Sequence, residues 1–302
     1  MPLIAVSPPH TVPIFSGFDY VTVDAQRRRV YAAHTGSEAL LVVDADSGAV
    51  LGQVRVGPMH GVAVDPATGH VFTGNGTDQS VAEIDPVALT VLRTADVAGN
   101  VDAIAYDPAT GHIYADEDEG THVYVVDAKS MKSIGTVDIP GHKPEYLAVD
   151  PATHDLYQNI TDLREIAVID PATLKVKRTI QTPAIVGNHP LQFDAAYGHL
   201  LVGGQNGTIA AYDTTGKLVG TVAIQPRVDQ CSLNQTTHEL ACAGSGMLTV
   251  VRDVPSGPPV VVSQTTVAKG AHTVGADPKT GRFWIVWAQP DGDFVQGFSS
   301  SP

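Results

Sequence analysis

One phrase of about a dozen residues returns seven times along the 302-residue chain, and it constrains the fold more tightly than any other feature. The copies read DYVTVDAQRRRVY from Asp19, HGVAVDPATGHVF from His60, DAIAYDPATGHIY from Asp102 and EYLAVDPATHDLY from Glu145. The rest are HPLQFDAAYGHLL from His189, DQCSLNQTTHELA from Asp229 and HTVGADPKTGRFW from His272. Successive starts lie 41, 42, 43, 44, 40 and 43 residues apart, so seven units fill the chain. A period of that length is the mark of a repeat architecture in which each unit buries its faces against its neighbours.

Within a unit, two short β-runs flank a turn of the Asp-Pro-Ala-Thr-Gly type. Asp accepts backbone hydrogen bonds, Pro fixes φ and Gly tolerates positive φ. A third run follows, ending in another Asp (Asp44, Asp85, Asp127, Asp170, Asp213 and Asp253), and then a fourth, such as TVLRTADV. Four strands in about 42 residues describe one blade of a β-propeller. The expected fold is therefore all-β: a single seven-bladed propeller over residues 1–302, four antiparallel strands per blade. The last unit is short of its fourth strand, and the apolar N-terminal PLIAVS is expected to supply it, closing the ring and covering a sheet edge.

The wording of the units, in phrases such as GVAVDPATGHVF and VYVVDAKSMKSIGTVDIPG, resembles the YVTN-repeat (YncE-like) seven-bladed propellers over nearly the whole chain. The resemblance implies the fold. For function it implies only an extracytoplasmic binding role as one expectation, because one fold serves many activities.

Alignment of the units separates structural columns from a different one. The turn column, Asp24, Asp65, Asp107, Asp150, Asp194, Asn234 and Asp277, is nearly uniform, as a repeated turn requires. Histidines four or five residues later (His70, His112, His154, His199 and His238) are expected at the surface of that hairpin. Five residues before the turn column stand Asp19, His60, Asp102, Glu145, His189, Asp229 and His272. Every member is ionisable and able to bind metal, yet the identity varies. His, Asp and Glu make up 44 of the 302 residues, so seven independent draws would all fall in that set roughly once in a million times.

This column opens the innermost strands and should ring the mouth of the central channel. His60, His189 and His272, from blades 2, 5 and 7, are expected to converge on one divalent transition ion (Zn, Cu or Fe), leaving a position for water or substrate. Asp19, Asp102, Glu145 and Asp229 are expected to orient the imidazoles or act as acid and base. His34 and Trp287, at the ends of second strands on the same face, are expected to line a substrate vestibule, with Asn75 and Glu117 in similar places. His10 and His142 are expected in loops over the mouth. The acidic ADEDEG loop (115–120) with His122 offers a Ca²⁺ site or a solvated turn.

The functional expectation is a metal-dependent hydrolase or lyase, or an O₂-using enzyme with Fe or Cu, acting on a small molecule. The alternative is a non-catalytic extracytoplasmic propeller that binds a ligand, a protein or the metal itself. A net charge of −14 disfavours nucleic acid and anionic membranes as partners. No apolar run reaches the roughly 18 residues of a membrane span. The opening MPLIAVSPPHTVPIF lacks the basic and long apolar regions of an intact signal peptide. Hairpin register sets Cys231 opposite Cys242, at a spacing that suits a disulfide in a periplasmic or secreted protein. Two reduced thiols in a cytosolic one fit as well.

Overall fold

A computed structural model describes the backbone of residues 4–5 and 10–12 and the whole of residues 17–289 and 292–299. It is a ring of seven antiparallel sheets. The first blade is Val21–Asp24, Arg29–His34, Ala39–Asp44 and Val50–Arg55, and five further four-stranded blades follow in the same order from axis to rim. A 3-10 turn at Thr35–Ser37 is the one helical element among the described residues.

The seventh blade closes as the sequence predicts, with a refinement. Three of its strands are Thr273–Ala276, Arg282–Gln289 and Gly292–Ser299. The N-terminal segment pairs along the last of these in two pieces, Ile4–Ala5 against Phe298 and Ser299, and His10–Val12 against Asp293 to Val295. An edge that would otherwise present a row of unpaired backbone groups is thereby covered by the other end of the chain.

Blades pack face to face through side chains of their two middle strands. The residue twelve places after each repeat start lies in that packing: Tyr31, Phe72, Tyr114, Tyr157, Leu201, Ala241 and Trp284 are all buried. Outer strands such as Thr90–Asp96 face solvent along most of their length. All seven Asx turns form, each with the turn-column side chain accepting the backbone N–H two residues on.

The hairpin histidines are not the free surface groups expected from sequence. His199 is buried, its Nδ1 2.9 Å from Asp253 Oδ2 in the next blade. His238 Nδ1 lies 2.8 Å from Asp194 Oδ2, and His154 Nδ1 lies 3.1 Å from Asp107 Oδ2, each pair again crossing a blade boundary. Arg28 makes the same kind of bridge from blade 1 to Asp277 of blade 7 at 2.8 Å. His70 binds Glu83 of its own blade at 2.8 Å and His112 is half-buried. Turn carboxylates with unused oxygens, buried between blades, recruit the nearest imidazole or guanidinium N–H; this is why the side chains fold inward.

Cys231 and Cys242 are directly opposed in the inner hairpin of blade 6 and form a disulfide.

Candidate metal centre at the channel mouth

The variable column owes its position to an irregularity repeated at the start of the inner strands. In blade 2, Met59 pairs with Asn75 and Val62 with Thr73, so two residues, His60 and Gly61, oppose one. The same slip places Asp102 and Ala103 in blade 3, His189 and Pro190 in blade 5, and Asp229 and Gln230 in blade 6. In blade 4 it falls one residue later, at Tyr146. In blade 1, Asp19 and Tyr20 both bond to Ala33, through Asp19 N–H to its carbonyl and its N–H to the Tyr20 carbonyl. A bulge leaves the extra residue unpaired and re-aims its side chain. Here it turns Asp19, His60, Asp102, His189 and Asp229 out of the pleat and into the mouth. A buried residue just ahead anchors each turn inward: Phe18, Met59, Val101, Pro144, Asn188, Val228 and Ala271.

All seven column residues line one cavity of about 220 Å³, together with Phe18, Tyr20 and Asp118. They gather there in two groups. Asp19, His60 and Asp102 form the first; one ligand atom from each lies within 4.8 Å of the others. His60 Nδ1 is 2.7 Å from Asp19 Oδ2 and 3.7 Å from Asp102 Oδ1. In the second, His189 Nε2 sits between Glu145 Oε2 at 2.9 Å and Asp229 Oδ1 at 3.2 Å. His272 stands at the edge of the second: its Nε2 is 3.7 Å from Asp229 Oδ2, but its Nδ1 is 2.9 Å from the Gly270 carbonyl and its Nε2 2.9 Å from that of Phe18.

The three imidazoles thus share a cavity without sharing a donor group. Blades 1, 2 and 3 are neighbours, so their column residues meet. Blades 2, 5 and 7 face one another across the mouth. The close donor set is one imidazole and two carboxylates.

Close approach of blades 2 and 3 rests on Gly61. A Cβ there would stand 2.6 Å from the Ile104 nitrogen and 2.7 Å from the Asp102 carbonyl oxygen. Behind Asp102, the buried Asp116 carboxylate accepts the Ala103 N–H at 2.7 Å and the Gln158 amide at 2.9 Å. Asp19 is braced by Gln230, whose amide donates to Oδ1 at 2.5 Å.

Crowded carboxylates shape the electrostatics. Desolvation, then the charges of Asp19, Asp116 and Glu145, drive the Asp102 carboxyl well above its usual range. Burial also raises Asp116, to about 7, against the Gln158 hydrogen bond. For His60 and His189 burial pulls the pKa down and carboxylates overcome it. The Asp19 hydrogen bond and charge leave His60 raised; Glu145, with Asp229 and Asp19, pushes His189 up to about 9.

His34 and Trp287 do not line this cavity. His34 is fully buried, stacked on Phe18 at 4.2 Å with Nε2 2.7 Å from Asp293 Oδ2. Trp287 is buried against Phe294. Both strand ends reach the right face, but Phe18, the anchor ahead of the inner strand of blade 1, covers His34. His142 is exposed and outside the lining, and the side chain of His10 lies outside the described residues. Within the ADEDEG loop, Glu117 is taken up by His122 Nδ1 at 2.7 Å and the Tyr124 hydroxyl at 2.8 Å. Asp118 of that loop turns instead into the mouth, a placement for which the sequence offered only the loop's acidity.

Phe18 and Tyr20, which flank Asp19, are the other lining residues that the column analysis passed over. Tyr20 matters most. It forms a tilted pair with Tyr146 at 5.3 Å and separates the mouth from a second cavity of about 300 Å³ further down the channel.

The fold is widely shared. A chain of Kuenenia stuttgartiensis hydrazine synthase matches with a TM-score of 0.79 at 14% identity, covering 95% of this chain and 97% of that one. A chain of a mitotic checkpoint complex matches with a TM-score of 0.82 at 16% identity, covering 97% and 90%. Both likenesses are of fold alone. No family model and no curated sequence relative matches the chain. Fold and site together define a seven-bladed propeller with an Asp/His/Asp group at its mouth able to hold a metal ion.

Proposed function

We propose that the protein is a divalent-metal-dependent enzyme acting on a small polar molecule at the channel mouth. Asp19, His60 and Asp102 hold the ion, and the His189–Glu145–Asp229 group moves protons beside it. The observation that carries this reading is the meeting of three donor atoms from three blades within 4.8 Å, in an open cavity. Three protein ligands leave positions for water or a substrate oxygen, the arrangement of catalytic rather than purely structural sites. One imidazole with two carboxylates is a harder donor set than three imidazoles, which favours Zn²⁺, Mn²⁺ or Fe²⁺ over Cu²⁺. A hydrolase or lyase type of reaction suits such an ion. His189, raised to about 9, is protonated at neutral pH and suited to act as the general acid.

The Cys231–Cys242 disulfide supports an oxidising compartment, periplasmic or secreted. The repeat phrases support a place among YVTN-like propellers. A binding-only role draws support from His189 Nε2, which two carboxylates already hold. Metal-free protein, reloaded in turn with Zn²⁺, Mn²⁺ and Fe²⁺, should hydrolyse or cleave members of a small-ester, amide and lactone panel. That activity should fall at least 100-fold on metal removal and in His189→Gln. Metal binding without turnover anywhere in the panel would favour the binding-only role.

A further inference from the structure

We infer that the mouth cavity recognises a small organic cation bearing a primary ammonium group, held by Glu145, Asp229 and the Tyr20 hydroxyl beside the metal group. The inference rests on the mouth being the functional site and names the class of molecule it takes. Five carboxylates and three imidazoles line the cavity, and no Lys or Arg does so among the described residues. Asp19 and Asp102 belong to the metal group. Glu145 and Asp229 each spend one oxygen on His189 Nε2, which leaves Glu145 Oε1 and Asp229 Oδ2 as acceptors. Among the described residues, Asp229 Oδ2 is met by a distant imidazole, His272 Nε2 at 3.7 Å.

The second observation is Tyr20. It lines the same cavity, is only 7% exposed, and its hydroxyl has no hydrogen-bond partner among the described residues. A buried hydroxyl without a partner is destabilising, a cost that a bound donor removes. An ammonium carries three N–H donors and one positive charge, matching two carboxylate oxygens and a phenol oxygen. A carboxylate or phosphate would instead meet like charge, which disfavours it by the same electrostatics. A cavity of about 220 Å³ is below the usual range for drug-sized ligands, so the cation is small.

The test uses metal-free protein and three probes of one size: n-butylammonium, 1-butanol and n-butyrate. Binding is read by calorimetry and by chemical-shift changes at Tyr20. n-Butylammonium should bind at least 10-fold more tightly than butanol, and butyrate should not bind. Glu145→Gln and Asp229→Asn should each weaken the ammonium at least 10-fold, and Tyr20→Phe about threefold, in protein that far-UV circular dichroism shows to be folded. Equal binding of butanol or butyrate would overturn the inference. So would loss on Asp19→Asn with Glu145→Gln unaffected, which would put the cation on the metal ligands. Zn²⁺ titration of the same sample is scored separately: Zn²⁺ binding without ammonium binding overturns this inference alone, and the reverse overturns only the metal reading.

Discussion

At the scale of single residues, the mouth shows how neighbours decide what an ionisable group does. His70 and His60 are ten residues apart in one repeat unit, and each sets its Nδ1 within 3 Å of a carboxylate. His70 meets Glu83 on the side of a sheet; His60 meets Asp19 in a cavity that also holds Asp102. The repeat register made this distinction legible, because it assigned His60 to a column of mixed ionisable residues. It could not show that Asp102 from the adjacent blade comes within 3.7 Å of His60. Nor could it show that two carbonyls claim His272. His189 carries a pH signature. Its folded-state pKa, about 9, lies above the ordinary 6.5, so its pairing stabilises the fold fully below pH 6.5 and the contribution fades as pH rises through 9. In metal-free protein, the stability advantage of wild type over His189→Gln should shrink by on the order of 3 kcal/mol between pH 6 and 10. Denaturant unfolding across that range checks it, and a difference independent of pH would contradict it.

At the scale of elements, the bulge opening the inner strands is the device that makes the site. The period-2 pattern of a strand predicts which residues face the channel, and the turn chemistry predicts where each hairpin reverses. Neither announces a bulge, since an extra residue near a strand's start reads as loop in sequence. The hidden cost appears at Gly61, where the bulges of blades 2 and 3 come into backbone contact. Gly61→Ala forces backbone apart rather than the end of a flexible side chain. It should destabilise the protein by about 1–3 kcal/mol and separate His60 from Asp102. Zn²⁺ affinity should then fall at least 10-fold. In Gly111→Ala, where a Cβ meets open space but φ is positive, stability should fall while affinity holds. Calorimetry on both variants checks this, and equal affinity in both would break the link between bulge packing and the site.

At the scale of the whole molecule, closure of the ring fixes the distances across the mouth. The repeat count, the blade order and the use of the N-terminus as the closing strand were all readable, because each follows from burying sheet faces and covering an edge. The inward folding of His154, His199 and His238 onto neighbouring blades was not, since it depends on where one blade ends against the next. The Cys231–Cys242 link lies within one hairpin and closes a short loop, so it constrains the unfolded chain only modestly. Its removal in a Cys231→Ser, Cys242→Ser double variant should cost about 2–3 kcal/mol and leave the metal site's affinity within twofold. Thermal unfolding and Zn²⁺ titration read the two quantities, and loss of metal with the disulfide would mean that blade 6 sets the mouth geometry.

The central claim is that one ion sits on Asp19, His60 and Asp102. Its most direct test is elemental analysis of Zn²⁺-reconstituted, desalted protein. Wild type, His189→Gln and His272→Gln should each retain about one ion per chain, and Asp19→Asn, His60→Gln and Asp102→Asn should lose it. A wild type that retains no metal would contradict the account, as would loss in His189→Gln and His272→Gln equal to that in His60→Gln.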